Sequence, residues 1–349
     1  MILCNLFDAE TLRKLQLTFS DTDTLEEFQF TLLHKIVLGI LPLNLSSALQ
    51  GMTQPLINER DSGGRTALFW AARRGDAECL KILLEYGADP RKPTEIGYSP
   101  LHAAAYSGSY LCCKLLLDAN VEVDVRGPLQ QTPLITIATQ PDAIGIAKLL
   151  IDHGADVNAR DISGGTAIIQ ASFLGCSAIA AHLVEQGADL HMLEKTGENV
   201  VHNAVYGNDP TILHLLLQRG ALYRSTSSET GTILHAAALH SDIPALEELT
   251  RAGLTGLDIE EKFRGSTALE VAKRRTGVCP EWLPAFEALL RSISRVDQAP
   301  NVTNLYEEND SGNGDGSSQD NSAAGGTSGN QGDQDEEGNE IFVDTVEYH

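Results

Sequence analysis

A segment of about 33 residues recurs along most of this chain. Residues 64–90 read GRTALFWAARRGDAECLKILLEYGADP, which is a turn, an alanine-bearing stretch, a glycine, a leucine-rich stretch and a closing glycine. Each copy opens with a residue suited to a helix cap, at steps of 33 to 35 residues: Thr31, Thr66, Ser99, Thr132, Thr166, Asn199, Thr232 and Thr267. A fixed period of this length predicts a stack of repeats rather than one globular core.

A second marker keeps the same period. Each regular copy closes with a residue that tolerates a left-handed backbone, as helix ends require: Gly87, Asn120, Gly154, Gly187, Gly220 and Gly253. Between the two markers, Leu80, Leu83 and Leu84 show the spacing of an apolar helix face. One pair of short helices cannot bury its own faces, so the units must stack on one another.

These residues resemble the repeats of ankyrin proteins, of the divergent kind common in fungal genomes. The best matches to the family pattern are residues 64–90, 97–117 and 149–161, and the resemblance extends over roughly residues 28–292. It implies an all-α solenoid of about eight helix–turn–helix units joined by β-turn loops. We therefore expect an N-terminal capping segment at residues 1–27 and an ankyrin-repeat array at residues 28–295.

The composition changes after the array, and we predict a disordered acidic tail at residues 296–349. Residues 297–349 contain 13 Asp and Glu side chains and no Lys or Arg. A segment so rich in acids, Gly, Ser and Asn cannot bury enough apolar surface to fold. Residues 341–348 are apolar again and alternate with acids, which indicates either a short docking motif or an unstructured end that happens to contain apolar residues.

Charge and composition exclude several classes of partner. The net charge is −23, and residues 1–296 still carry 35 acidic against 25 basic side chains, or −10. This balance argues against nucleic acid and anionic membranes and favours basic partners. The apolar start of the sequence is too short for a signal peptide, and no apolar run approaches the ~20 residues of a membrane span. Its six cysteines form no CxxC pair, so we expect buried free thiols. We expect an intracellular monomer, cytoplasmic and/or nuclear.

No catalytic motif stands out, and we predict no enzyme activity, cofactor or metal site. Phosphate-binding loops, GxSxG, HExxH and kinase signatures are missing from the sequence. Four histidines share one position of the repeat: His34, His102, His202 and His235. The resemblance implies that this histidine bonds to nearby backbone and locks the turn, and residues one repeat apart are too distant to share one metal ion.

The candidate binding residues lie seven and eight places after the opening marker, at the end of each first helix. The resemblance implies that a partner lies on the concave side of the array, against these helix ends and the turn tips. The selected residues are aromatic or apolar in the middle and basic at both ends. We call them the helix-end row: Arg73, Arg74, Tyr106, Phe173, Leu174, Tyr206, Leu239, His240, Arg274 and Arg275. Alternatively, they fill gaps between neighbouring helices.

The sequence therefore predicts a non-catalytic scaffold or adaptor that binds an unidentified protein through this row, with the arginine pairs engaging acidic groups at the edges. An alternative is a regulatory or inhibitory subunit whose acidic tail masks a basic surface of a target. A further hypothesis, suggested by opposite charge and a flexible tether, folds the tail back over the arginine pairs so that it screens the row.

Overall fold

A computed structural model describes residues 28–297, and within this range the chain forms eight consecutive pairs of α-helices. The predicted architecture of about eight helix–turn–helix units is confirmed. The predicted capping segment lies outside the described residues, as does the acidic tail from residue 298 onward with its apolar end.

The two helices of each unit alternate along the chain. The first helices are α1 (Leu32–Val37), α4 (Ala67–Arg74), α6 (Pro100–Tyr106), α8 (Pro133–Ile137), α10 (Ala167–Phe173), α12 (Val200–Gly207), α14 (Ile233–His240) and α16 (Ala268–Arg274). The second helices are α2 (Leu45–Leu49), α5 (Ala77–Glu85), α7 (Tyr110–Asp118), α9 (Ile144–Asp152), α11 (Ser177–Glu185), α13 (Pro210–Gln218), α15 (Ile243–Arg251) and α17 (Trp282–Asp297).

Short helices and strands that the sequence did not predict lie in the connections between helices. A one-turn helix, α3 (Gln54–Ile57), follows the first unit, and a 3-10 turn occupies Pro128–Gln130. Two antiparallel ladders lie in the last two turns. Their strands are β1 (Thr226–Ser227) with β2 (Gly231–Thr232), and β3 (Lys262–Phe263) with β4 (Ser266–Thr267).

The opening markers act as helix N-caps in most units. The Thr66 hydroxyl accepts the Phe69 N–H at 3.2 Å, and the Ser99 hydroxyl accepts that of His102 at 3.3 Å. Such a bond satisfies one of the amide groups left unpaired at a helix start. Thr166 is different, because its buried hydroxyl has no hydrogen-bond partner.

The closing markers all adopt the left-handed conformation that their residue types predict. Their φ angles run from 56° to 87°. Gly87, Gly154 and Gly187 have the highest values, and Asn120 has the lowest. A side chain costs energy in this region, so glycine ends the helices at least strain.

The core is continuous because helices of the same kind pack against one another along the array. First helices contact the first helices of the neighbouring units, and second helices contact second helices. Small residues permit this approach: Ala71, Ala104 and Ala237 are fully buried on three first helices. Two neighbouring first helices approach each other closely at Gly207, where an added Cβ would lie 2.3 Å from the backbone oxygen of Ser172.

The two tryptophans of the chain seal the two ends of the described array. Trp70 packs edge-on against Phe30 at a centroid distance of 6.0 Å and donates to the buried Asp61 carboxylate at 2.8 Å. Trp282 stacks on Phe286 and donates to the Ser241 carbonyl oxygen at 2.7 Å. Large rings thus pack at both ends of the described array.

Prolines accompany two departures from the regular unit. The fourth unit, which carries Pro141 in place of a glycine, has a first helix of five residues. The last helix runs from Trp282 to Asp297, and Pro284 lies in its first turn. A missing amide hydrogen at that position removes no helical bond.

Asn120 offers a test of the helix-end geometry. Replacing Asn120 with glycine should stabilise the protein by up to about 1 kcal/mol, because glycine adopts this φ without strain. Alanine there should destabilise it by about 1 kcal/mol, since it keeps the strain without the local tolerance of asparagine. Urea unfolding followed by circular dichroism measures both. Changes of the same sign would contradict this account.

Candidate functional site

The four shared histidines tie each unit to the one that follows. The Nε2 atom of His34 bonds to the Arg65 carbonyl at 2.9 Å, and that of His102 bonds to the Gln131 carbonyl at 3.0 Å. On the other side of the rings, Nδ1 pairs with the capping hydroxyl of Thr31 or Ser99. His202 and His235 repeat the arrangement with the Gly231 and Ser266 carbonyls.

Burial favours the neutral form of three of these imidazoles. It lowers the pKa of His102 from 6.5 to about 4 and also lowers the pKa of His34 and His202, because a charged ring loses its hydration. Both ring nitrogens are engaged in the turn. Within residues 28–297, no three His, Cys, Asp or Glu side chains are grouped to hold a metal, and no helix is long and apolar enough to cross a bilayer.

Four of the five cysteines within residues 28–297 have a raised pKa. Cys112, Cys113 and Cys176 are buried free thiols, and burial raises their pKa. Cys79 is half-buried, and its pKa is raised to about 12 by burial and by the carboxylate of Asp76. Cys279 is exposed, which differs from the expectation of buried thiols. Raised pKa values leave little thiolate for chemistry.

The middle of the helix-end row displays apolar side chains at the surface. Phe173 is 44% exposed, and Leu174 and Leu239 are each 43% exposed. Tyr106 is 37% exposed. Tyr206 is half-buried, so the alternative of gap-filling side chains applies to this residue in part.

Ring contacts join three consecutive units of the row. Phe173 meets Tyr206 edge-to-face at a centroid distance of 6.2 Å, and Tyr206 meets His240 in the same way at 4.9 Å. The fourth unit interrupts the row: it places Thr139 at the surface, while its Gln140 side chain donates to the Tyr106 carbonyl at 3.1 Å. The row therefore consists of an aromatic segment in units five to seven and a separate segment around Tyr106.

The arginines of the row are partly committed to structure. Arg74 donates to the Val37 carbonyl of the preceding unit. Arg275 donates to the Ser241 carbonyl at 2.8 Å and lies over the Trp282 ring at 4.6 Å. Arg73 lies over the Tyr106 ring at 4.1 Å, and Arg274 donates to a serine hydroxyl. One guanidinium of each pair thus bonds to a backbone carbonyl of the preceding unit.

The Glu198 carboxylate, which was not predicted from the sequence, accepts a hydrogen bond from the aromatic segment. The hydroxyl of Tyr206 donates to Oε1 of Glu198 at 2.7 Å. Ser227 and Thr230 donate to the same oxygen at 3.1 and 3.3 Å. Three donors fix the orientation of this carboxylate. Its other oxygen, Oε2, has one weak contact, with the Thr196 hydroxyl at 3.5 Å.

Two further carboxylates lie beside it. Oε2 of Glu194 accepts from the Asn203 amide at 3.1 Å. A Cβ built on Gly165 would lie 3.2 Å from Glu194 Oε1 and 3.3 Å from Asp161 Oδ1, so the two carboxylates flank one point. Burial raises the pKa of Glu194, and the negative charges of Glu198 and Asp161 raise it further. In the described part of the chain, no lysine or arginine forms an ion pair with these three groups.

Exposed apolar residues also lie at three successive turn tips. Ile96, Leu129 and Ile162 are each more than half exposed. Adjacent tips touch, because the Ile162 N–H donates to the Leu129 carbonyl at 2.8 Å. Leu129 has a φ of 58°, an uncommon value for a leucine. These residues are spaced 33 positions apart in the sequence, so their periodicity could have predicted this feature.

Comparisons with known proteins agree on the repeat. A family model described as "Ankyrin repeats (3 copies)" matches residues 43–127 and 122–194. The crystal structure of the human ASB11 ankyrin repeat domain is similar at a TM-score of 0.54 and 20% identity, covering 75% of this chain and 98% of that one. This similarity concerns the fold.

Curated relatives share the repeats over part of their length. Neurogenic locus notch homolog protein 1 of Xenopus tropicalis is 36% identical over 130 residues, which is 37% of this chain and 5% of that protein. Ankyrin repeat and SOCS box protein 16 of Homo sapiens is 36% identical over 113 residues, which is 31% of this chain and 24% of that protein. The chain spans a quarter or less of these relatives.

The lowered pKa of His102 predicts a pH dependence of stability. Between pH 6.5 and about 4 the unfolded chain takes up a proton at this ring and the folded chain does not. The stabilisation is therefore full above pH 6.5 and is lost as the pH falls to about 4, with a size on the order of 3 kcal/mol. Urea unfolding at pH 7, 5.5 and 4 should show a shallower decline for His102→Leu than for the wild type.

The exposed His191 provides the control for this experiment. His191→Leu should leave the wild-type pH dependence unchanged. An equal slope for His102→Leu and the wild type would show that the ring titrates alike in both states.

Glu194 gives a second prediction, with the opposite sign. Because its folded pKa is raised, the ionised carboxylate costs stability at neutral pH, and Glu194→Gln should stabilise the protein by about 0.5–1 kcal/mol at pH 7. The gain should shrink as the pH falls through the pKa of Glu194, where the wild type becomes neutral as well. Thermal unfolding at pH 7 and 4.5 measures it. A variant less stable than the wild type at pH 7 would contradict the assignment.

Proposed function

Because this chain is an ankyrin-repeat protein, we propose that it acts as a scaffold or adaptor that binds a protein partner through the helix-end row. Repeat arrays of this type present extended surfaces to their partners. The observation that carries the proposal is the side-by-side exposure of Phe173, Leu174 and Leu239 in units five and seven, with Tyr206 between them.

Exposure of these side chains has no structural explanation in the array itself. The units stack through buried alanines and leucines, and Phe173, Leu174 and Leu239 are not part of this core, although Tyr206 packs against it. Exposed apolar patches rimmed by polar groups are the usual composition of interaction sites, and aromatic residues dominate their binding energy. Phe173, Leu174 and Leu239 are therefore assigned to the contact, and Tyr206 to its rigid support.

The arginine pairs have divided roles in this proposal. Arg74 and Arg275 hold adjacent units together through backbone carbonyls. Arg73 and Arg274 are the members that we assign to the partner, at the two ends of the row. The proposed role is non-catalytic, which accords with four histidines whose ring nitrogens are engaged in the turns.

A double substitution tests the proposal. Phe173→Ala with Leu239→Ala should reduce partner capture at least tenfold, because it removes the central apolar contacts. The full chain is immobilised, captured proteins are identified by mass spectrometry, and the leading partner is titrated against each variant. Since both side chains are over two-fifths exposed, the free energy of unfolding should change by less than about 1 kcal/mol.

The matched control lies on a second helix. Tyr110 and Leu111 on α7 are 46% and 61% exposed, and Tyr110→Ala with Leu111→Ala removes a comparable apolar area. Capture should persist with this control. Equal capture by the row variant and the wild type, at equal stability, would refute the role of the row.

A further inference from the structure

We propose that the partner places an arginine or lysine side chain against the surface formed by Phe173, Tyr206, Glu194 and Glu198, which we name the acidic–aromatic face. This inference rests on the proposed function and deepens it, because it specifies the chemistry of the partner. The sequence predicted the aromatic half of this surface, with charge recognition by the arginine pairs. The contacts add carboxylates beside the aromatic rings as a second place for charge recognition.

Aromatic rings supply the first element of the face. Phe173 and Tyr206 are inclined at 77° to each other, and Tyr206 and His240 at 80°. An edge-to-face pair leaves ring surface uncovered, and Phe173 is 44% exposed. The negative face of such a ring attracts a guanidinium or ammonium group. The helix-end row has one example of this contact in its separate segment, between Arg73 and Tyr106.

A preoriented carboxylate supplies the second element. Three hydroxyl groups hold Oε1 of Glu198, and one of them belongs to Tyr206. The carboxylate is therefore fixed at the edge of the aromatic segment before any partner arrives. Oε2 retains acceptor capacity beyond its weak contact with Thr196. A fixed acceptor loses little entropy when a charged donor binds to it.

Accumulated negative charge supplies the third element. Glu194 lies close enough to Glu198 and Asp161 for both charges to act on it. Arg275, a basic member of the row, is held by the Ser241 carbonyl and the Trp282 ring. A guanidinium from a partner would relieve this repulsion and form charge-assisted hydrogen bonds that a neutral side chain cannot form. An acidic partner would increase the repulsion.

The experiment uses peptides as probes and the full chain as the receptor. A displayed library of linear 12-residue peptides is selected on the wild-type protein, and enriched peptides are synthesised with a fluorophore. Each basic peptide is paired with a version in which citrulline, a neutral isostere, replaces arginine. Fluorescence anisotropy then measures the affinity for the wild type, Glu194→Gln, Glu198→Gln and Phe173→Ala.

The expected results follow from the three elements. Selected peptides should contain arginine or lysine beside an apolar residue, and citrulline should weaken binding about tenfold. Glu194→Gln and Glu198→Gln should each weaken it about fivefold, and Phe173→Ala at least tenfold. Glu122→Gln, which removes the same charge from an exposed turn, should stay within about twofold. Since Glu194→Gln is expected to stabilise the fold, its weaker binding cannot result from unfolding.

Several contrary outcomes distinguish failure of this inference from failure of the proposed function. The proposed basic side chain is wrong if citrulline peptides bind as tightly as arginine peptides. It is also wrong if both Glu→Gln variants bind with wild-type affinity while Phe173→Ala binds more weakly, and in either case the row remains the contact. Binding to Phe173→Ala at wild-type affinity would overturn both. Selection of acidic peptides that depend on Phe173 would reject the basic partner alone.

Discussion

Each unit of this protein depends on its neighbour for a hydrogen bond as well as for a core. The imidazole of His102 accepts from the cap of its own helix and reaches the carbonyl of Gln131 in the next unit. Side chains elsewhere repeat this pattern at a distance of about one repeat: Asn58 accepts the Asp89 N–H, and Arg160 donates to the Leu193 carbonyl. Removing one unit would therefore expose apolar faces of its neighbours and leave some of their polar backbone groups without a hydrogen-bond partner.

The sequence predicted features that one residue type determines locally. Threonine caps and left-handed helix ends follow from hydroxyl chemistry and from the backbone freedom of glycine, so the unit boundaries at Thr66 and Gly87 could be predicted from the sequence. Contacts between residues about one repeat apart could not be predicted. Nothing local distinguishes Arg74, which bonds to Val37, from Arg73, which covers Tyr106. Glu198 was missed for the same reason, because two of its three donors, Ser227 and Thr230, come from the next turn of the stack.

Several unfavourable local features lie in the middle units. Leu129 has a positive φ, the Thr166 and Ser172 hydroxyls are buried without partners, and Glu194 lies among like charges. Violations of this kind are expected where a protein sacrifices stability for binding. Phe173 and Leu174, which we assign to the partner, lie in the same part of the array.

The placement of the two indoles has a spectroscopic consequence. Trp70 belongs to the second unit and Trp282 to the last, so tryptophan emission reports on the ends of the stack. Units three to seven contribute no indole and are silent at that wavelength. Loosening confined to the centre would leave the emission spectrum unchanged while far-ultraviolet dichroism fell, and the lag between the two signals would reveal that these repeats melt from the inside.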